Sequence, residues 1–300
     1  RLNPHVINEN QLITLYNQYL NKYLTELGEK KIHFKQSKIT QLLTELKQLQ
    51  QTTATIATPG GGKNKFTNKY SLAFTGTSAD GGNSEYVSTN FNPDTYELWN
   101  GFTVSYWVKP NQLGNHMFAI GKKGITPTER FTFGVNTGTN AYAGIGANKV
   151  IGIAHGMSTG TWYHWAFTYA GNSNGKGVKM YRDGVKLTTS GGADGTATWS
   201  DTGGFSGGIY LNGRNLESTG YNNGWDCNLD EVSIFNEVKN ISTLYDGTHK
   251  PTDLTDENGL IGYWRFTEGT GTTVEDLSGQ GNHGTLTTAD SGLPEWSGDA

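Results

Sequence analysis

Two pairs of adjacent acids are the first residues that could do chemistry: Asp230-Glu231 in LDEVSIF and Glu275-Asp276 in TVEDLSG. Hydrolysis of a glycosidic bond needs two carboxylates flanking the same bond. Neighbouring residues on a strand point to opposite faces, so neither pair is expected to converge. Gly204-Phe205-Ser206-Gly207-Gly208 matches the G-x-S-x-G string of serine hydrolases. That chemistry requires a strand before the serine and a helix after it, whereas the strand-like GIYLNG follows here. Gly279 to Gly284 fits G-x-G-x-x-G, but TLTT follows instead of a helix, so it reads as a turn. The seven histidines show no ligand spacing and Cys227 is the only cysteine, which excludes a disulfide framework and a CxxC metal site. A non-catalytic protein is expected.

A recognition surface for sugars needs aromatic platforms ringed by amide and charged side chains. The stretch IYLNGRNLESTGYNNGWDCN supplies Asn212, Arg214, Asn215, Tyr221, Asn222 and Trp225, and Trp199 and Tyr142 are placed in comparable loops. Trp107, Trp162, Trp165 and Trp264 stand within strand-like runs and are assigned to the core.

The elements that would carry these residues follow from composition. Glycine contributes 42 of 300 residues and only 17% of residues are charged, a profile far from that of a helical enzyme. The boundary is sharp: Gly28 is the one glycine before Gly60, and all eight tryptophans come later. The first 63 residues hold eight Lys/Arg and four Asp/Glu, the remainder fifteen and 23. With a net charge of −4, no polyphosphate-binding surface is expected. No apolar run approaches the ~18 residues of a membrane span. Three regions result: a helical segment 1–58, a Gly-rich joint 59–68 after Pro59, and a β body 69–300.

In the first region Ile32, Ile39, Leu46 and Thr53 fall seven apart, and Lys35, Leu42, Leu49 and Ile56 form the second seam. An isolated helix of this length is marginal in water, so it needs a partner. The adopted reading is self-association through Ile32, Ile39, Leu42, Leu46, Leu49 and Ile56. A hairpin folded back at Gly28 is the alternative.

Beyond residue 64 the chain alternates short β-branched and aromatic runs with turn clusters, which predicts ten to thirteen strands in an antiparallel sandwich or jelly roll. Asp183-Gly184 marks a hairpin, and KNISTLYDG a short helical turn. The motifs SLAFTG, FTVSYWVKP, TGTWYHWAFTY, VKMYRDGVKL, IYLNGRN and LDEVSIFNEV, in that order over residues 70–247, resemble laminin G-like, concanavalin A-like jelly-roll domains. The resemblance implies a mainly β fold of two curved sheets that hosts lectins, adhesion modules and glycosidases alike. The acid array at alternate positions that such glycosidases carry has no counterpart here. Segment 260–286 resembles the strand that often leads into these domains, yet here it trails. It could complete the same sheet, start another domain, or pair with a neighbouring subunit.

The same resemblance raises calcium as a structural ion, held by hard oxygen ligands. The loop TSADGGNSEYV offers Asp80, Asn83 and Glu85, and Asp230 stands where related folds place a calcium ligand. The functional expectation is a carbohydrate-binding adhesion module, extracellular or on a virion surface, multimerised by its helices, with no nucleic-acid or membrane partner. The thin charge and short heptad segment are similar to phage fibre or head-decoration proteins. A purely architectural decoration protein and a polysaccharide hydrolase or lyase are the alternatives.

Overall fold

The computed structural model describes residues 68–299, apart from 76–84, 115–116, 124–129, 137–139, 147, 172–176, 188–204, 206, 217–219, 223, 248–252 and 289–291. The chain divides into Arg1–Asn64 and Lys65–Ala300, and everything below concerns the second unit. The expected helices, with Ile32, Ile39, Leu42, Leu46, Leu49 and Ile56, lie outside the described residues, as do Asp80, Asn83 and Trp199.

Eighteen strands are described, more than the sequence suggested because several span only two or three residues. They open with β1 (Ser71–Phe74), β2 (Glu85–Thr89), β3 (Phe102–Pro110), β4 (Met117–Lys123), β5 (Arg130–Asn136) and β6 (Asn140–Ile145). Next come β7 (Asn148–Ala154), β8 (Tyr163–Tyr169), β9 (Val178–Arg182), β10 (Val185–Lys186), β11 (Tyr210–Leu211) and β12 (Arg214–Leu216). The last are β13 (Gly220–Asn222), β14 (Cys227–Phe235), β15 (Leu260–Trp264), β16 (Thr273–Val274), β17 (Gly284–Thr288) and β18 (Glu295–Ser297).

They form two sheets. The first has the order β10-β9-β8-β3-β14-β1-β18, with β15 also paired to β14. The second runs β16-β17-β2-β11-β4-β5-β6-β7, with β12 on β4 and β13 on β12. Every pairing is antiparallel except β12 on β4. Asp183 (φ 49°) and Gly184 (φ 75°) make the β9–β10 turn, as the sequence predicted. Ile241–Thr243 form the expected short helical turn, a 3-10 turn capped by the Asn240 side chain.

Alternate residues of both sheets fill the space between them. Phe102, Val104, Tyr106 and Val108 of β3 meet Phe131 and Phe133 of β5 and Ala141, Ala143 and Ile145 of β6 in one core. The outer side of the first sheet is closed as well. The β14–β15 connection lays Ile241, Leu244 and Leu254 against Ala166, Phe235 and Tyr263 as a second apolar layer. All nine residues of β14 are therefore buried.

Segment 260–286 joins this same sandwich, contributing to both sheets. β15 pairs with β14, while β17 pairs with β2. Trp264 is fully buried and donates its indole N–H to the Asn282 carbonyl at 2.9 Å.

Candidate functional site

With β14 of the first sheet covered on both sides, the outer face of the second is where the described chain offers recognition chemistry. Val87 of β2 and Leu211 of β11 are paired and point into the core. By alternation, Tyr86, Ser88 and Tyr210 stand on the other side. β17 continues this face, with Thr285 opposite Ser88 and Thr287 opposite Tyr86. Tyr86 and Tyr210 stack with ring centroids 4.2 Å apart, half-buried, beside half-buried Ser88 and exposed Thr285. Burial, and then the neighbouring Tyr86 phenol, push Tyr210 up to about 12. Its phenol therefore stays a neutral donor throughout the physiological range. Flat aromatic surface edged by hydroxyls suits the apolar face and hydroxyl rim of a sugar ring. Sequence reading missed both tyrosines because EYVST and GIYLNG were read only as strands; the alternation around Val87 and Leu211 was the available signal.

The face continues onto β4, β5 and β6, where Gly121 and Gly144 let other parts of the chain lie against the backbone. A Cβ on Gly121 would lie 2.6 Å from the Gly213 carbonyl oxygen and 2.9 Å from the Arg214 Cα. The chain after β11 thus crosses directly over Gly121, the residue opposite Tyr210. Arg214 then sets its guanidinium 5.0 Å from the centre of the Phe118 ring. Phe118 packs on Tyr142 at 5.3 Å, and the Tyr142 hydroxyl and Arg130 Cδ cover Gly144, 2.9 and 3.2 Å from where its Cβ would stand. Burial raises the Tyr142 phenol, and the positive charges of Arg130 and Arg214 oppose that rise. Arg214 is itself pushed down, first by burial, then by Arg130 in opposition to Tyr142.

Two residues nominated for ligand contact turn out to be structural. Trp225 is fully buried, because its indole N–H reaches the Gln112 carbonyl at 3.0 Å and the ring completes the core. Asn212 is fully buried with φ 58°, donates to the Glu85 carbonyl, and accepts from the Trp225 amide at 2.9 Å. It ties the β11–β12 turn to β2 and to the start of β14. Tyr142 lies buried in β6 and not in a loop. Arg214 is half-buried and belongs to the face. Asn215, Tyr221 and Asn222 are ladder positions of the β12–β13 hairpin. Trp107, Trp165 and Trp264 are buried as expected, whereas Trp162 is only half-buried, beside Lys109 and Asp299.

The argument that Asp230 and Glu231 must diverge also fails. Cys227 and Leu229 face the core, but so do Val232 and Ile234, so the alternation slips by one. Glu231 takes φ 48°, and the register with β3 shifts between Asp230 and Ser233, a β-bulge. Both carboxylates then meet the Asn68 amide nitrogen, which stands 2.9 and 3.0 Å from the Asp230 oxygens and 3.3 Å from Glu231. The Arg265 carbonyl accepts from the same nitrogen at 2.9 Å. The Arg265 guanidinium pairs with Glu231 at 3.0 Å, and the Tyr263 hydroxyl also donates to Glu231. Asp230 and Glu231 are 2% and 3% exposed, so no substrate bond can enter between them. Nor do these residues fit calcium: the Asn68 amide nitrogen already takes the space between the oxygens, and the Arg265 guanidinium brings a positive charge against Glu231. Glu85, at the foot of the other nominated loop, accepts from the Thr75 amide at 2.7 Å and hydroxyl at 2.8 Å, one bond to each oxygen, which leaves each a further lone pair. Among the described residues no three His, Cys, Asp or Glu side chains cluster as a metal site.

A laminin G model, described as the concanavalin A-like lectin/glucanases superfamily, matches residues 80–242. Among solved structures, a candidate carbohydrate binding protein from Bacteroides ovatus is similar over 77% of this chain, with a TM-score of 0.53 and 16% identity. This chain spans 62% of that protein's length, and the likeness is one of fold. A heptameric SAP-like pentraxin from Limulus polyphemus matches over 60% of this chain and 82% of its own, with 15% identity and a TM-score of 0.39. Domains LG4-5 of mouse laminin α1 match over 56% of this chain and 41% of theirs, with 9% identity and a TM-score of 0.36. No curated protein sequence matches.

Two buried groups give the fold opposing responses to pH. His164 bonds through Nε2 to Ser105 at 2.7 Å, and burial lowers it from 6.5 to about 3. Below pH ~6.5 the unfolded chain gains a proton that the folded chain refuses until about pH 3, so this contribution is lost as pH falls across that window. Burial raises the Asp230–Glu231 pair, Glu231 to about 7, so their contribution is lost as pH rises toward that value. Urea unfolding from pH 7 to 4 should show His164→Asn with a slope lower by up to ~1.4 kcal/mol per pH unit than the parent. Parallel profiles for the two proteins would contradict the assignment.

Proposed function

We propose, from the premise that this chain belongs to the concanavalin A-like lectin/glucanases superfamily, that residues 68–299 form a non-catalytic carbohydrate-binding module. Its ligand rests on the outer face of the second sheet. The observation that carries this reading is the half-exposed Tyr86–Tyr210 stack with Ser88, Thr285 and Thr287 around it. The sealed Asp230–Glu231 pair supports a binding role over a hydrolytic one. On a glycan array, Tyr210→Ala should weaken binding by roughly two- to tenfold, the value of one aromatic stacking contact. Trp225→Ala should instead lower the melting temperature, since it removes a core side chain. Silence of the parent protein across neutral and charged glycans would favour the architectural reading, and release of reducing sugar would favour a hydrolase.

The proposal includes display in several copies. Segment 1–58, through the seams of Ile32, Ile39, Leu42, Leu46, Leu49 and Ile56, would join sandwiches so that weak single contacts add. A surface-exposed fibre or decoration protein, extracellular or on a virion, fits that arrangement. No helix among the described residues is long and apolar enough to cross a membrane. Deleting residues 1–58 should leave a folded monomer by light scattering; a truncated protein that stays oligomeric would refute the stalk.

Calcium enters this proposal as a structural ion at the loop of Asp80 and Asn83, with Glu85 at its foot, and not at Asp230. Chelation by EDTA should then lower the melting temperature. An unchanged value removes the ion.

A further inference from the structure

Charge is distributed unevenly over the sandwich. From Asn64 onward the chain carries fifteen Lys/Arg against 23 Asp/Glu. Residues 117–154, which hold β4 to β7, reverse that balance in sequence, with Lys122, Lys123, Arg130 and Lys149 against a single acid, Glu129; Lys122 is buried opposite Phe131 of the core, and Arg130 is 8% exposed. These four consecutive strands form one whole end of the second sheet. The ladder brings Lys123 opposite Arg130 and Lys149 opposite Gly144. Arg214 arrives from the β11–β12 turn and lies over Phe118 on the same face, close enough to Arg130 for the two charges to oppose each other. The carrier of that second cation, the crossing over Gly121, abuts the ladder position of Tyr210. The aromatic pair and half-buried Arg214 are therefore neighbours on one face, with Arg130 on β5 about two strand spacings of ~4.8 Å from Tyr210. That length matches one or two sugar rings.

Resting on the carbohydrate-binding reading above, we propose that the ligand is an acidic saccharide. One ring stacks at Tyr86 and Tyr210, and a carboxylate or sulfate on the same or the next residue lies toward Arg214 and Arg130. Guanidinium groups suit both anions, because their forked N–H donors match two oxygens at once. Neutral glycans would gain only the stacking contact.

The test is affinity electrophoresis of the full-length protein through gels containing polygalacturonate, dextran sulfate or neutral dextran. Polygalacturonate, dextran sulfate or both should retard the protein at least about tenfold more strongly than dextran, and that retardation should fall with added salt. Arg130→Gln and Arg214→Gln should each abolish most of this difference, while Lys179→Gln on the other sheet leaves it intact. Circular dichroism of each variant separates loss of binding from loss of fold, and the salt titration of the parent protein stands even where a variant unfolds. Equal, salt-independent binding of dextran and the polyanions, weakened by Tyr210→Ala, would overturn the acidic ligand and leave the sugar platform standing. Polyanion retention unchanged in both arginine variants would overturn it too, placing the attraction elsewhere on the chain. Absence of retardation in all three gels would sink both readings together.

Discussion

The structure depends on the burial of its first sheet from both sides. A β-sandwich needs only one covered face per sheet, yet here the β14–β15 connection supplies a second apolar layer, and β14 has no residue left in contact with water. Polar groups on that strand must then find partners inside the protein, and the Ser233 hydroxyl is one that does not. Asn228 finds the Ser71 hydroxyl at 3.0 Å. Asp230 and Glu231 find Asn68, Tyr263 and Arg265, the last two from the trailing segment and Asn68 from the start of the sandwich. The start of the described chain and the trailing segment are thereby fastened to the middle of β14. A buried ion pair of this kind adds little net stability over an apolar packing, but losing one partner is costly. It fixes which strands meet more than how tightly they hold.

Closing one face directs recognition to the other. On the outer side of the second sheet, glycine takes positions where a side chain would otherwise stand. Gly121 admits the β11–β12 crossing, and Gly144 admits Tyr142 and Arg130. Asn212 pays for the crossing by adopting a left-handed backbone and bonding at once to β2, to β4 and to the Trp225 amide ahead of β14. The same residue that looked like a sugar ligand in the sequence is the knot holding the wall of the site. Its amide chemistry was read correctly and its address was not.

How much the sequence revealed follows from where period-two alternation holds. In β3 and β8 it holds without interruption, so the core placement of Phe102, Val104, Trp165 and Phe167 was legible. In β14 it slips at Asp230–Glu231, and a strict alternation rule assigned the acids to opposite faces. Apolar residues at 227, 229, 232 and 234 recorded that slip in advance. Trp225 misled for a different reason. It follows Asn222-Asn223-Gly224, a turn-like string, and composition alone does not say whether a tryptophan after a turn points out or caps the core. The trailing segment was legible as part of the body but not as a contributor to both sheets, because pairing between β17 and β2 spans almost two hundred residues of chain. Local pattern carries no information at that range.

The platform's placement on paired strands also shapes what it can do. Tyr86 and Tyr210 are held by ladder hydrogen bonds on β2 and β11 and by each other's rings, so little conformational entropy remains to be lost on binding. The Tyr210 phenol stays neutral, so it selects by shape and hydrogen bonding and not by charge. The cations lie to one side, on β5 and on the crossing after β11, where they can orient a ligand already resting on the rings. Stacking of this kind is worth little per contact, whereas a charge near a partly desolvated guanidinium discriminates strongly between ligands of the same shape. A surface divided in this way would separate ligands of one shape by their charge, because the stacking contact is nearly the same for all of them.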